Sequence, residues 1–99
     1  MVTPEPGGMP VPSRVRTVPA HDELHDAQES LVLLDGQVRR VSPIGTAIRA
    51  HATHGASVDE LAVVLEELFG LPDEGDVLSL TREAVQALVA EGLLEPTAD

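Results

Sequence analysis

Along this chain the apolar residues recur first with a period of two and then with a period near 3.6, and the switch falls at Ser42. Upstream, "RVRTV" at 14–18 alternates polar and β-branched residues until Pro19 stops it, which predicts a short strand near a sheet edge. "HDELHDAQE" at 21–29 is polar, with Leu24 its one large apolar residue, and reads as a connector or a single helical turn. "SLVLL", Asp35-Gly36 and "QVRRV" predict a β-hairpin with strands at 30–34 and 37–41, because Asp-Gly readily adopts the positive φ angles of a type I′ turn. A two-residue loop pairs Leu34 with Gln37, Leu33 with Val38, Val32 with Arg39 and Leu31 with Arg40. The adjacent arginines are therefore expected on opposite faces of the sheet.

Downstream the pattern is helical. Ser42 is suited to an N-cap and Pro43 to the first helical position, after which Ile44, Ala47, Ile48 and His51 recur on one side until Gly55. "SVDE" at 57–60 has the form of a capping box, followed by an apolar stripe of Val58, Leu61, Ala62, Leu65, Leu68 and Phe69 that ends at Gly70 and Pro72. A third helix is predicted over 77–91 with Gly92 as its C-cap. Its Val77, Leu78, Leu80, Ala84, Val85, Ala87, Leu88 and Val89 cover an arc of about 200°, roughly twice the width of a core-facing stripe. One flank is thus expected on the core and the other free for a partner. Leu93 and Leu94 are expected to fold back onto the core. The order predicts an α+β, winged-helix-like domain, a three-stranded antiparallel sheet followed by three helices, over residues 14–95. A Pro/Gly-rich tail at 1–13 holds four of the eight prolines, and a short tail follows at 96–99.

Composition narrows what such a domain can do. Ninety-nine residues suffice for one small core, and with Phe69 the only aromatic ring that core must be aliphatic. The net charge is −11: residues 1–56 carry five arginines against six acids, and residues 57–99 carry Arg82 alone against eleven. This balance repels phosphate backbones and anionic lipid, so neither nucleic acid nor membrane is expected as a partner. There are no cysteines to form disulfides, thiolate sites or a thiol nucleophile. With no signal-peptide pattern and no long apolar run, the protein is expected in the cytoplasm.

Candidate chemistry is sparse. His21 and His25 have helical metal-ligand spacing but no third ligand, and read as part of a solvated connector. His51 and His54 fit the edge and end of the first helix. No serine sits in a nucleophile elbow, no glycine run cradles a phosphate, and Glu66-Glu67 reads as solvated surface. Ser79, in "VLSLT", lacks the Asp-Ser-Leu setting of a phosphopantetheine carrier. The expectation is a protein without catalytic residues, metal or cofactor.

From "LVLLDGQVRRVSPIGTAI" through "GASVDELAVVLEELFG" to "VQALVAEGLLEP", about residues 14–95, the chain resembles the PqqD-like family of RiPP recognition elements. The family pattern is a hairpin, Leu-Asn before a helix with Ile-Trp, then Gly-x-Thr/Ser-Val-x-Glu-Ile/Leu, then Leu-x-x-x-Gly-Leu-Leu. Here those positions read Val41-Ser42 with Ile48-Arg49, then Gly55, Ser57, Val58, Glu60 and Leu61, then Leu88, Gly92, Leu93 and Leu94. Val-Ser replaces Leu-Asn, and Arg49 stands where Trp is common.

The resemblance implies a small adaptor that binds the leader of a ribosomally made precursor peptide as an added strand. The adaptor then presents that peptide to a modifying enzyme, either a radical SAM enzyme or a leader peptidase. The peptide-binding strand it implies is Gln37, Val38, Arg39, Arg40 and Val41, with one flank of the third helix as the cleft wall, for which Leu78, Arg82, Val85 and Val89, clustered at one border of the wide apolar arc, are the candidates. Two other readings compete: a winged-helix DNA-binding regulator, opposed by the charge, and an acidic protein–protein interaction module.

Overall fold

The hairpin turn sets the first sheet. In the computed structural model, which describes residues 12–26 and 29–97, Asp35 and Gly36 take φ angles of 52° and 77°. That doubly positive pair lets a two-residue loop follow the natural strand twist. It joins β3 (Glu29–Leu34) to β4 (Gln37–Val41) in the register expected, Leu34 opposite Gln37 and Leu31 opposite Arg40. Val32 is closed to solvent and Val41 nearly so, which fixes Ser30, Val32, Leu34, Gln37, Arg39 and Val41 on the inner face.

The "HDELHDAQE" segment departs from its expected role as a connector. Asp22–Asp26 form β2, antiparallel to β3, with Glu23 opposite Val32 and His25 opposite Ser30. All five residues are exposed, so this strand carries no apolar alternation to betray it. It is held by the backbone ladder to β3 and by Glu23, which reaches the helices. β1 (Arg14–Thr17) likewise differs. It does not join the hairpin but is the centre of a second antiparallel sheet, between β5 (Ala56–Ser57) and β6 (Leu94–Pro96). Two three-stranded sheets thus replace the single one expected.

The first two helices start at the capping sites foreseen. α1 (Pro43–His51) begins where Ser42 Oγ accepts the Gly45 N–H at 3.1 Å. α2 (Val58–Phe69) begins with the complete capping box: Ser57 Oγ accepts the Glu60 N–H at 3.0 Å, and Glu60 Oε1 accepts the Ser57 N–H at 2.8 Å. α3 (Val77–Ala90) is capped by Asp76, which accepts the Ser79 N–H at 2.8 Å. The apolar stripes are shorter than their sequence pattern. On α1 it is Ile48 and Arg49 that are buried, whereas His51, expected on the apolar side, is exposed. On α2 the stripe ends at Leu65, leaving Leu68 and Phe69 exposed beyond the body of the core.

Val15, Val32, Ile48, Leu61, Leu65, Val85, Leu93 and Leu94 form the centre of an aliphatic core shared by both sheets and all three helices. The architecture is α+β, with the β2–β3–β4 sheet standing as a wing beside the helices, loosely compatible with a winged helix. Ordered pairing extends slightly past 14–95 at both ends: Ser13 accepts the Val58 N–H and the Thr97 N–H donates to the Arg14 carbonyl. Residues 1–11 of the expected N-terminal tail and 98–99 of the C-terminal one lie outside the described residues. Among the described residues no helix is long and apolar enough to cross a membrane.

Candidate functional site

β2 and β4 are the two edges of the wing, and they differ in chemistry. β2 presents Asp22, Glu23 and Asp26, the kind of charge that keeps other strands away. β4 presents Val38, Arg39 and Arg40. In an antiparallel pair closed by a two-residue turn, the residues flanking the turn and every second one after it bond to the partner strand. Gln37, Arg39 and Val41 thus face β3, and the N–H and C=O groups of Val38 and Arg40 face outward. Among the described residues no other backbone group bonds to them.

Beside this edge lies a cleft of about 230 Å³, with Arg40, Val41, Ser42 and Gly45 on one side and Ala84, Ala87, Leu88 and Glu91 of α3 on the other. Its floor is made of small residues. At Gly45 a Cβ would sit 2.7 Å from Val41 Cγ1, so only glycine lets α1 pass this close to β4.

The structure brings together one part of the expected site and separates the other. Gln37 and Val38 are exposed on the edge strand, Val38 on the outer face, while Arg39 is half-buried on the inner face and donates from Nη2 to Gln37 Oε1 at 3.1 Å. Arg40 is exposed on the outer face and reaches the cleft rim. Val41 is core, and only its neighbourhood lines the cleft. On α3, Val85 is fully buried, Leu78 and Val89 are half-buried against the core, and Arg82 is exposed near Pro12, Ser13 and Asp59 in a separate hollow.

None of these four forms the wall facing β4. At 100° per residue, Ala84, Ala87, Leu88 and Glu91 occupy a helix face about 140° from Leu78, Arg82, Val85 and Val89. The wide apolar arc is mostly closed against the core, with Thr81, Val85 and Leu88 at its centre. Thr81 enters that arc because its hydroxyl donates to the Val77 carbonyl at 2.7 Å. Small alanines, which carry little hydrophobic signal, were the part of the pattern that marks the cleft.

A second cleft, of about 300 Å³, opens between the inner face of β2–β3 and α1, lined by Glu23, His25, Ser30, Thr46 and Arg49 among others. Sequence reasoning gives no sign of its main feature. Arg49 is 4% exposed; it ion-pairs with Glu23, donates from Nη2 to the Val18 carbonyl at 2.7 Å, and points Nε at the Leu93 carbonyl at 3.4 Å. One guanidinium ties β2, the β1–β2 link and the chain entering β6 to α1. Ser30 Oγ here is engaged with Thr46 Oγ1 at 2.8 Å, and Thr17 Oγ1 donates to the Arg49 carbonyl at 2.6 Å. His25 faces this cleft from β2, while His21 precedes the strand, so the two do not share the helical face their spacing suggests. Among the described residues no group of three potential metal ligands comes together.

The carboxylates with lowered pKa are caps. Glu60 is held below its ordinary 4.5 by the Ser57 backbone N–H, then the Ser57 hydroxyl and Arg14. Asp76 is held below 3.8 chiefly by the Ser79 backbone N–H. Comparisons with protein-family models, with curated proteins and with solved structures find no match.

Proposed function

We propose that this protein is a non-catalytic adaptor that captures the leader segment of a ribosomally made precursor peptide and holds the precursor for a separate modifying enzyme. The observation that carries the reading is the unblocked β4 edge lying alongside the α3 cleft, while the opposite edge, β2, is guarded by acids. The resemblance to the PqqD-like family supports the same use of this strand. An extended peptide docking here gains up to four backbone hydrogen bonds at Val38 and Arg40. At about 0.5–1.5 kcal/mol each they contribute roughly 2–6 kcal/mol, short of the ~8 kcal/mol of a micromolar complex. Side chains must supply the rest, and the cleft between Gly45 and the α3 alanines offers room for them.

The adaptor needs no reaction centre, because tethering raises the effective concentration of the core peptide at the enzyme. The enzyme is a radical SAM protein or a leader peptidase, and the encounter takes place in the cytoplasm where precursors are made. The regulator reading gains nothing from α3, whose exposed face offers Arg82 beside Glu83 and Glu91.

The test is a titration of the full chain with leader peptides from short reading frames encoded beside its gene, read by amide resonances and hydrogen exchange. Val38 and Arg40 amides should gain protection, and a peptide N-methylated at alternate residues should fail to bind. Leaders that bind without touching β4, or none that bind, refute the proposal.

A further inference from the structure

From the side chains flanking the β4 edge we infer that the captured segment carries an apolar–acid–acid–apolar tetrad; this rests on the strand-addition reading above. All six basic residues of the chain are arginines. Three have carboxylate partners: Arg14 with Glu60, Arg16 with Glu95 and Arg49 with Glu23. Among the described residues Arg39, Arg40 and Arg82 have none, in a chain with seventeen acids, and of these three Arg39 and Arg40 lie on β4. Arg39 Nε is, moreover, the one side-chain nitrogen or oxygen there that is shut off from water with no hydrogen-bond partner. A buried guanidinium N–H without an acceptor is a group prepared for a ligand oxygen.

The sheet explains why no internal acid reaches either arginine. The inner-face row runs Glu23, Val32, Arg39, and Glu23 is held by Arg49. The outer-face row runs Leu24, Leu31, Arg40, so the residues directly across from Arg40 are leucines, and Asp26 and Glu29, which share an outer-face hollow with it, form no ion pair with it. A strand added at the free edge lies about 4.8 Å from β4, and its successive side chains alternate between faces. The residue beside Arg39 points inward and the next, beside Arg40, points outward. Two adjacent acids therefore meet two adjacent arginines, one on each face.

The flanking positions are apolar for equally local reasons. The residue beside Val41 points inward over Gly45, Ala84 and Leu88, a surface that suits an apolar side chain. The residue beside Val38 points outward next to Val38, which is 66% exposed, and Leu33. The tetrad reads the same in both directions, so it holds for a parallel or an antiparallel leader. Because the chain's net charge of −11 repels an acidic peptide at a distance, the acids act by contact and slow dissociation rather than hasten association.

Synthetic twelve-residue peptides with a central Leu-Glu-Asp-Leu, each acid replaced singly or together by its amide, test this against the full chain. Each replacement should weaken binding about tenfold, mainly through the dissociation rate. Arg39→Gln and Arg40→Gln should each erase the preference at one acid and leave the other. Arg40→Glu should come to favour a Lys at the outward position. If the diamide peptide binds as tightly as the diacid while both protect the Val38 and Arg40 amides, the tetrad is wrong and strand addition stands. If no peptide of the set protects those amides while a neighbouring leader without the tetrad does, the tetrad is again overturned. If that leader also leaves them unprotected, strand addition falls with it.

Discussion

Removing Glu23 should damage this protein more than removing Arg49, although the two form one ion pair. Arg49 is 4% exposed, whereas the Glu23 side chain keeps 35% of its surface in water. Glu23→Ala leaves a guanidinium inside the protein with two carbonyls and no counter-charge. Breaking a buried pair in this way costs about 3–5 kcal/mol, and the partial exposure of Glu23 brings the expectation to about 2–4. Arg49→Met leaves a carboxylate that can turn to solvent. It also strips the Val18 carbonyl of a charged donor at 2.7 Å, a loss of about 1–3 kcal/mol, while the 3.4 Å contact to Leu93 adds little. With both changed, no charge is stranded, so the double variant should be at least as stable as Glu23→Ala alone.

Since the chain lacks Trp and Tyr, unfolding is best followed by far-UV circular dichroism in urea. With a slope of about 1–1.5 kcal/mol/M, Glu23→Ala should lower the midpoint by roughly 1.3–4 M. In a domain stable by about 5–15 kcal/mol that is a large share. A Glu23→Ala cost under about 1 kcal/mol, or strictly additive losses in the double variant, would refute the bolt assigned to Arg49.

Three other outcomes follow from the same geometry. Gly45→Ala should gain up to about 1 kcal/mol of helix propensity yet lose about 1–3 to the contact with Val41 Cγ1, a net destabilisation of about 1 kcal/mol measurable in urea. Val38→Pro removes an outward N–H without touching the ladder to β3; it should abolish leader binding by calorimetry while the thermal midpoint falls by only a few degrees. The caps should make the fold acid-sensitive: because the folded pKa values of Glu60 and Asp76 lie below 4.5 and 3.8, their stabilisation is full above those values and is lost as pH falls through the lowered ones. Asp76→Asn, which keeps an acceptor but drops the charge, should flatten the decline in melting temperature as pH falls below about 4 relative to the parent chain.

What was legible in the sequence was what neighbouring residues decide among themselves. Asp35-Gly36 dictates its turn and thereby the register of β3 and β4, and Ser57 with Glu60 closes a capping box without help from elsewhere. β2 was illegible because an edge strand exposed on both faces shows no period-two apolar signal. Its place is set by the free backbone of β3 and by Glu23 reaching Arg49. Arg49 itself follows Ile48 in a helix, where a charged residue reads as surface. Only the tertiary meeting of Glu23 and the Val18 and Leu93 carbonyls makes its burial tolerable. The α3 residues expected at the cleft lie elsewhere for a related reason: hydrophobic width singled out Leu78, Val85 and Val89, which pack against the core, while the groove is lined by Ala84, Ala87 and Leu88.

The position of Arg49 also bears on how the β4 edge works. A short three-stranded wing is mobile unless something beyond its own ladder restrains it, and strand addition is weakened by every degree of freedom that docking must freeze. Here the wing is restrained at both sides. Glu23 is tied through Arg49 to α1 at the β2 side, and Gly45 lets α1 press against Val41 at the β4 side. Arg49 thus links three segments to α1 through its three nitrogens. If that link pre-organises the edge, Glu23→Ala should weaken leader binding even under conditions where the variant is fully folded, although β3 and β4 stand between Glu23 and the open edge. Unchanged affinity in the folded variant would separate the bolt from the binding edge and leave it a purely structural device.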